Sequence, residues 1–170
     1  EIMKIILLTT FTPHHLYFYK KLRNKLNIKF DIFEKKKKVS TQDVVEKSFY
    51  KFEIKKLFNN NFYNFLKKDE YLFVRNINSK KSSERFKKYD LAISYGISKL
   101  AKSNLYKKNF IINLHGGDQS FYRGLDSHLW AIYHKDFKNM YDSVHWVSNK
   151  LDTGNLIAKK KLLFKKKEKF

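Results

Sequence analysis

Two polar side chains stand two positions apart at the end of an apolar run, Phe110-Ile111-Ile112-Asn113-Leu114-His115. In an extended strand, residues i and i+2 point to the same side, so this amide and imidazole project together. Each can donate a hydrogen bond, and the imidazole also titrates near neutral pH. Such a pair suits the oxyanion that forms as a carbonyl becomes tetrahedral, where one well-placed donor is worth roughly 10²–10³ in rate. Asp152, in the turn Leu151-Asp152-Thr153-Gly154, is a carboxylate that could hold a water or move a proton. No Ser or Cys sits in a nucleophile elbow, which favours direct transfer over a covalent intermediate. A plain alternative stands beside this reading, because Asn-x-His at a strand end can be a satisfied polar pair and Asp-Thr-Gly is a common turn.

The glycines point to the same stretch. There are five, and Gly116, Gly117, Gly124 and Gly154 fall between Phe110 and Ile157, with Gly96 on the loop just ahead. Glycine lets a ligand approach the backbone closely, so a site is expected where a glycine-poor chain clusters it beside Asn, His, Asp and Arg. His128, His134 and His145 read as structural. No pair of histidines or carboxylates has a metal-ligand spacing, so no metal is expected.

The elements that must position these residues read as alternating strand and helix. Met3–Leu8 is an apolar run suited to a buried parallel strand, followed by Thr9-Thr10-Phe11 as a turn. Thr12-Pro13 reads as N-cap and first helical residue, with Leu16, Tyr19, Leu22 and Leu26 on one face. Ile28–Phe33 alternates as a second strand, which makes a β-α-β opening and predicts a parallel α/β sheet. No Gly-x-Gly-x-x-Gly follows the first strand, so a dinucleotide fingerprint is absent. His14 and His15 read as cap-adjacent surface residues, with a substrate contact as the alternative, since this edge of a parallel sheet is where ligands bind.

Glu34–Lys38 reads as a solvated charged loop. Thr41–Lys68 reads as one or two helices broken near Asn59-Asn60-Asn61, with Phe49, Tyr50 and Phe52 in the core. Further strands are expected at Tyr71–Val74, Asp90–Gly96, Val144–Val147 and Asn155–Ala158. Helices are expected from Ser79–Lys88, over Ile97–Leu105 and over Ser127–Tyr133. Residues 1–158 are expected to form one domain, with Lys159–Phe170 a lysine-rich tail or frayed helix.

Net charge is +21. Nucleic acid is the first partner such a balance suggests. The excess is nearly all lysine, with arginine only at Arg23, Arg75, Arg85 and Arg123, whereas bidentate phosphate and base recognition favours arginine. A non-specific affinity for anions, phosphorylated substrates included, is the expectation. Cysteine is absent, which removes disulfides, thiolate nucleophiles and Cys-ligated zinc and fits a cytoplasmic setting. No apolar run of roughly 18 residues exists to span a membrane.

Taken together, Asn113-Leu114-His115, Tyr122-Arg123-Gly124, Trp130-Ala131-Ile132 and Leu151-Asp152-Thr153-Gly154 resemble the folate-dependent formyltransferases. That family includes methionyl-tRNA formyltransferase, glycinamide ribonucleotide transformylase and the sugar N-formyltransferases. The resemblance covers residues 90–157 closely and 3–33 in pattern. It implies a Rossmann-like three-layer fold with a mainly parallel central sheet, and N10-formyltetrahydrofolate as donor, without a metal. It further implies that Asn113 and His115 bind the developing oxyanion, while Asp152 assists proton transfer and holds His115. The backbone of Tyr95, Gly96, Ile97 and Leu100, and that of Leu151, Thr153 and Gly154, would line the pterin slot. Where many members have Leu-Leu-Pro after the histidine, this chain has Gly116-Gly117-Asp118-Gln119-Ser120-Phe121, and that loop faces the acceptor. Asp118, Gln119, Tyr122 and Arg123 are the acceptor-side candidates, with Arg123 equally readable as a clamp on a loop carbonyl.

The His-Gly-Gly-Asp variant looks more like members linked to surface-polysaccharide sugars, so a nucleotide-linked amino sugar is the expected acceptor. Methionyl-tRNA or a purine-precursor amine ranks second. The high charge helps tRNA, while the tRNA enzyme's further C-terminal domain has no counterpart expected here. A non-catalytic basic nucleic-acid-binding module is the reading from another class. It would show salt-sensitive affinity and no folate binding.

Overall fold

The computed structural model describes residues 3–23, 25–26, 28–34, 44–59, 71–105 and 110–163. Two compact units divide the chain, Glu1–Phe110 and Ile111–Phe170.

The first unit alternates strand and helix: β1 (Ile5–Thr10), α1 (Pro13–Arg23), β2 (Ile28–Glu34), α2 (Val44–Phe58), β3 (Tyr71–Val74), α3 (Lys80–Phe86), β4 (Leu91–Tyr95) and the short α4 (Lys102–Leu105). β1 pairs in parallel with β2 and β4, and β2 pairs in parallel with β3. The order is therefore β3-β2-β1-β4, and every residue of β1 is buried, as a central parallel strand requires. The strand lies two residues later than its apolar run suggests. Thr9 and Thr10 continue the pairing, to Tyr95 and to Glu34, and the Thr9 hydroxyl donates to the Tyr95 carbonyl at 2.8 Å. That bond lets a buried threonine extend the strand where turn chemistry was expected.

Helix α1 starts as its residues predict. The Thr12 carbonyl accepts the Leu16 N–H at 2.9 Å, Pro13 is the first helical residue, and Leu16 and Tyr19 are fully buried. The helix ends at Arg23, so Leu26 lies beyond it and is exposed. Helix α2 turns Glu53 and Phe58 inward, which leaves Phe49 and Phe52 more than half exposed and stacked on each other rather than in the core. Asn59, at φ +48°, closes α2. The helix expected over Ile97–Leu105 shrinks to α4, and residues 97–101 are irregular. Glu34, expected in a solvated loop, is the buried last residue of β2. Residues 35–38 and the second half of the 41–68 segment fall outside the described residues.

The second unit contains β5 (Phe110–His115), α5 (Ser127–Tyr133), a 3-10 turn at Phe137–Asn139, β6 (Tyr141–Trp146) and β7 (Leu156–Lys161). Both of its strand pairings, β5 with β6 and β6 with β7, are antiparallel. β7 reaches three residues past the strand expected at Asn155–Ala158. Tyr141, Asp142 and Ser143 pair with Lys161, Lys160 and Lys159, so the lysine run begins in a strand and not in a frayed helix.

Candidate active site

The β5–β6 register builds one polar face. Asn113 stands opposite His145, and His115 stands opposite Ser143. Directly opposed residues of an antiparallel pair share a face, so two histidines, an asparagine and a serine lie together. The intervening residues Ile112, Leu114, Val144 and Trp146 take the other face.

Asp152 closes over this face from the turn after β6. Its backbone is left-handed (φ +49°), and its side chain is buried. One carboxylate oxygen, Oδ1, lies 3.3 Å from Asn113 Nδ2 and 3.3 Å from His145 Nε2. The other, Oδ2, accepts the Gly124 N–H at 2.8 Å and faces His115 Nδ1 at 3.6 Å. The turn can sit this close because of Gly154: a Cβ there would come within 1.6 Å of the Trp146 carbonyl oxygen.

Electrostatics follow from these partners. Burial pushes the Asp152 carboxyl up. The His145 hydrogen bond, the Gly124 N–H and the charges of His115 and His145 outweigh it, leaving Asp152 below the usual carboxylate range. Burial likewise disfavours the charged form of His145. Both its nitrogens, however, face acceptors, Asp152 at Nε2 and the Trp146 carbonyl at Nδ1 (2.9 Å), and its pKa is raised. Both shifts therefore run in the direction of the charged forms, carboxylate and imidazolium. His115 Nε2 donates to the Tyr122 carbonyl at 2.8 Å, with the Ser127 hydroxyl 3.4 Å away.

The acceptor-side candidates lie in the same unit. Asp118 is buried in an ion pair with Lys159, Nζ to Oδ2 at 2.7 Å, and its Oδ1 accepts the Ser120 N–H. Burial raises its pKa, but Lys159 and Ser120 together bring it below the ordinary value. Gln119 donates from Nε2 to the Gly154 carbonyl at 2.9 Å, while its Oε1 is buried without a hydrogen-bond partner among the described residues. The Tyr122 hydroxyl donates to Asp136 at 3.0 Å. Arg123 Nε donates to the Gln119 carbonyl at 2.7 Å, the clamp on a loop carbonyl that its position allows. On the turn itself, Leu151 is exposed, and the Thr153 hydroxyl lies 2.8 Å from that of Ser148.

Tyr95, Gly96, Ile97 and Leu100 belong to the first unit. Tyr95 ends β4 with its ring 4.3 Å from the His15 imidazole and 5.0 Å from Phe18. Leu100 is buried and Ile97 half-buried. His15 is not a surface residue: it is buried, with Nδ1 2.5 Å from the Thr12 hydroxyl. His14 pairs with Glu53 at 2.9 Å.

The structure thus joins Asn113, His115 and Asp152 and adds His145, which sequence reading assigned to structure. His128 and His134 stay apart from the carboxylate. His128 bonds the Tyr141 carbonyl and Asp142, and His134 stacks between Tyr122 and Trp130. The signal for His145 was present in the alternation of Val144-His145-Trp146, but only the strand register shows that it opposes Asn113. Among the described residues, no group of three or more His, Asp or Glu could hold a metal ion, and no helix is long and apolar enough to cross a membrane.

No protein-family model matches the sequence, and no curated protein does. Solved structures do share the fold. A 4-N formyltransferase from Francisella tularensis superposes with a TM-score of 0.60 at 18% identity, over 97% of this chain and 59% of that one. A phosphoribosylglycinamide formyltransferase from Streptococcus pneumoniae gives 0.61 at 13% identity, over 99% of this chain and 86% of that one. HypX from Aquifex aeolicus, in complex with tetrahydrofolic acid, gives 0.56 at 15% identity, over 97% of this chain and 22% of that one. The chain spans 56–59% of the length of the sugar N-formyltransferases it matches. Its α/β, Rossmann-like fold is the one these formyltransferases have.

Proposed function

We propose that this chain carries an N-formyltransferase activity. It would move a formyl group from N10-formyltetrahydrofolate to the amine of a nucleotide-linked amino sugar, in the synthesis of a surface polysaccharide. The observation that carries the reading is the convergence of Asn113 and His115 on the Asp152 carboxylate. The shared fold supports it, since sugar N-formyltransferases and a tetrahydrofolate-bound protein are among the similar structures.

The donor, when bound, would supply a formyl carbon for the amine to attack; the bond from that carbon to N10 then breaks, N10 takes a proton and tetrahydrofolate leaves. Asn113 Nδ2 and His115 then supply hydrogen-bond donors to the oxygen on which charge builds, held in place before reaction. The His115 Nε2–H now satisfied by the Tyr122 carbonyl is the one that would pass to that oxygen. Asp152, ionised at neutral pH, accepts the proton the attacking amine must lose. His145 Nε2 faces Asp152 Oδ1 at 3.3 Å, so the carboxylate is oriented by a side chain that does not touch the reacting atoms.

The residues fit the donor in one further respect. Among the described residues, no hydrogen bond uses the backbone N–H or C=O of Ile97 or Leu100. Both residues lie on the loop assigned to the pterin, whose amide-like edge needs donors and acceptors of that kind. A second reading, with a purine-precursor amine as acceptor, is supported by the phosphoribosylglycinamide formyltransferases among the structures of the same fold.

The test is a transfer assay. N10-formyltetrahydrofolate is incubated with the chain and, separately, with nucleotide-linked amino sugars, phosphoribosylglycinamide and methionyl-tRNA, and products are weighed by mass spectrometry. A formylated amino sugar is expected. Formylation of phosphoribosylglycinamide alone would replace the first reading by the second, and no formyl transfer to any amine would remove both.

A further inference from the structure

We infer that Glu34 and Asn78 are positioning residues for donor binding: they hold the irregular loop 96–101 in a single shape from outside it. The inference rests on the assignment of that loop to the pterin under the proposed function.

A loop without helix or strand must satisfy its backbone polar groups in some other way. Here side chains from distant elements do so. Glu34, the buried last residue of β2, accepts the Ser98 N–H on Oε2 at 2.6 Å. Its Oε1 accepts the Ile77 N–H at 2.8 Å, which fixes the turn that presents Asn78. Asn78 then grips the loop at two points, donating from Nδ2 to the Lys99 carbonyl at 2.9 Å and accepting the Ala101 N–H on Oδ1 at 2.7 Å. Asn104 Nδ2 braces the same Oδ1 at 3.1 Å, and Asn104 is held in turn by the Ser83 hydroxyl at 2.6 Å.

The loop is fixed at its entrance as well. Gly96 has φ +70°, and a Cβ there would stand 1.9 Å from His15 Nε2, so the backbone lies directly on the imidazole. Backbone groups are thus satisfied at Ser98, Lys99 and Ala101, while those of Ile97 and Leu100 are left without partners among the described residues. A loop held at some groups and open at others is already shaped for a ligand with its own donors and acceptors. Ordering it in advance removes a cost that binding would otherwise carry.

The arrangement also explains why the helix expected over Ile97–Leu105 does not form. Asn78 takes the Ala101 N–H and the Lys99 carbonyl, which a helix over this segment would pair with the Ile97 carbonyl and the Ser103 N–H, and only α4 remains helical.

The experiment measures binding of tetrahydrofolate alone, by titration calorimetry on the folded full chain, together with amide hydrogen exchange at Ser98 and Ala101. Asn78→Ala is expected to weaken tetrahydrofolate about tenfold or more and to speed exchange at both amides. Glu34→Gln keeps the volume but one of its two acceptors, and is expected to weaken binding by a smaller factor while freeing one amide. Asn139→Ala, which removes the Asn139–Asp136 bonds of the second unit, serves as the control and is expected to leave the Kd unchanged. Wild-type affinity in folded Asn78→Ala and Glu34→Gln would overturn the inference and leave the proposed function standing. Failure of the wild-type chain to bind tetrahydrofolate would overturn both. If Asn78→Ala does not fold, Glu34→Gln decides alone.

Discussion

Glu34 and Asp152 are carboxylates buried to nearly the same depth, 5% and 6% exposed, one in each compact unit, and their surroundings give them different work. Among the described residues, Glu34 accepts backbone N–H groups, Ile77 on one oxygen and Ser98 on the other. Asp152 accepts one backbone N–H and otherwise faces two imidazoles and an amide. A carboxylate held on both oxygens by main-chain donors of separate loops is a fastener. One set among side chains that face a strand end can pass a proton. Asp118, paired with Lys159, is a third case, in which the charge is matched by a lysine and the bond ties the loop after β5 to β7.

The comparison can be broken most sharply at Asp152. Asp152→Asn is expected to lower formyl transfer by roughly 10²–10⁴ while the melting temperature stays close to that of the wild type. Asn113→Ala and His115→Ala should each cost roughly 10²–10³. Steady-state rates with N10-formyltetrahydrofolate and the accepted amine measure all three. Near-normal turnover in Asp152→Asn would make this carboxylate a fastener too.

Glu34→Ala should act on stability instead. It strands the buried Ile77 N–H and leaves the part-buried Ser98 N–H to water, so a loss of about 1–3 kcal/mol is expected in urea unfolding. A change well under 1 kcal/mol would mean that water or another group can replace the carboxylate. Lys159→Met removes the partner of buried Asp118 and is expected to lower the melting temperature modestly. An unchanged melting curve would show the Asp118–Lys159 pair to be dispensable.

The smallest effect is in pH dependence, and its sign follows from the two shifts. The His145 pKa is raised above its usual 6.5, so its contribution to stability is fully present below that value and is lost as pH rises through the folded pKa. The Asp152 pKa is lowered below its usual 3.8, so its contribution is present above that value and is lost as pH falls through the folded pKa. The stability advantage of the wild type over His145→Gln should therefore be greatest between about pH 4 and 6.5 and shrink on both sides. An advantage that grows with pH above neutrality would reverse the assignment of charge to this pair.

Most strands could be read from the chain because their apolar runs and breakers are local. Tyr71–Val74, Phe110–His115 and the helix Ser127–Tyr133 lie where their patterns put them. The misses share one cause. Thr9 extends β1 because the cross-strand Tyr95 carbonyl takes its hydroxyl, and Thr10 continues the pairing to Glu34. Phe49 and Phe52 stay out of the core because α2 turns Glu53 and Phe58 inward. Residues 97–101 avoid a helix because Asn78 claims the Lys99 carbonyl and the Ala101 N–H. Each was decided by a partner many positions away, which local pattern does not carry.

By itself the sequence determined the alternation of strand and helix, the side-by-side projection of Asn113 and His115, and the turn that offers Asp152, since these depend on backbone period and turn chemistry over a few residues. Only the tertiary structure decided that Asp152 meets His115 and Asn113, that His145 joins them, and that Glu34 is buried. The register of β5 against β6 is set by packing between segments about 30 residues apart, and no local spacing encodes that distance.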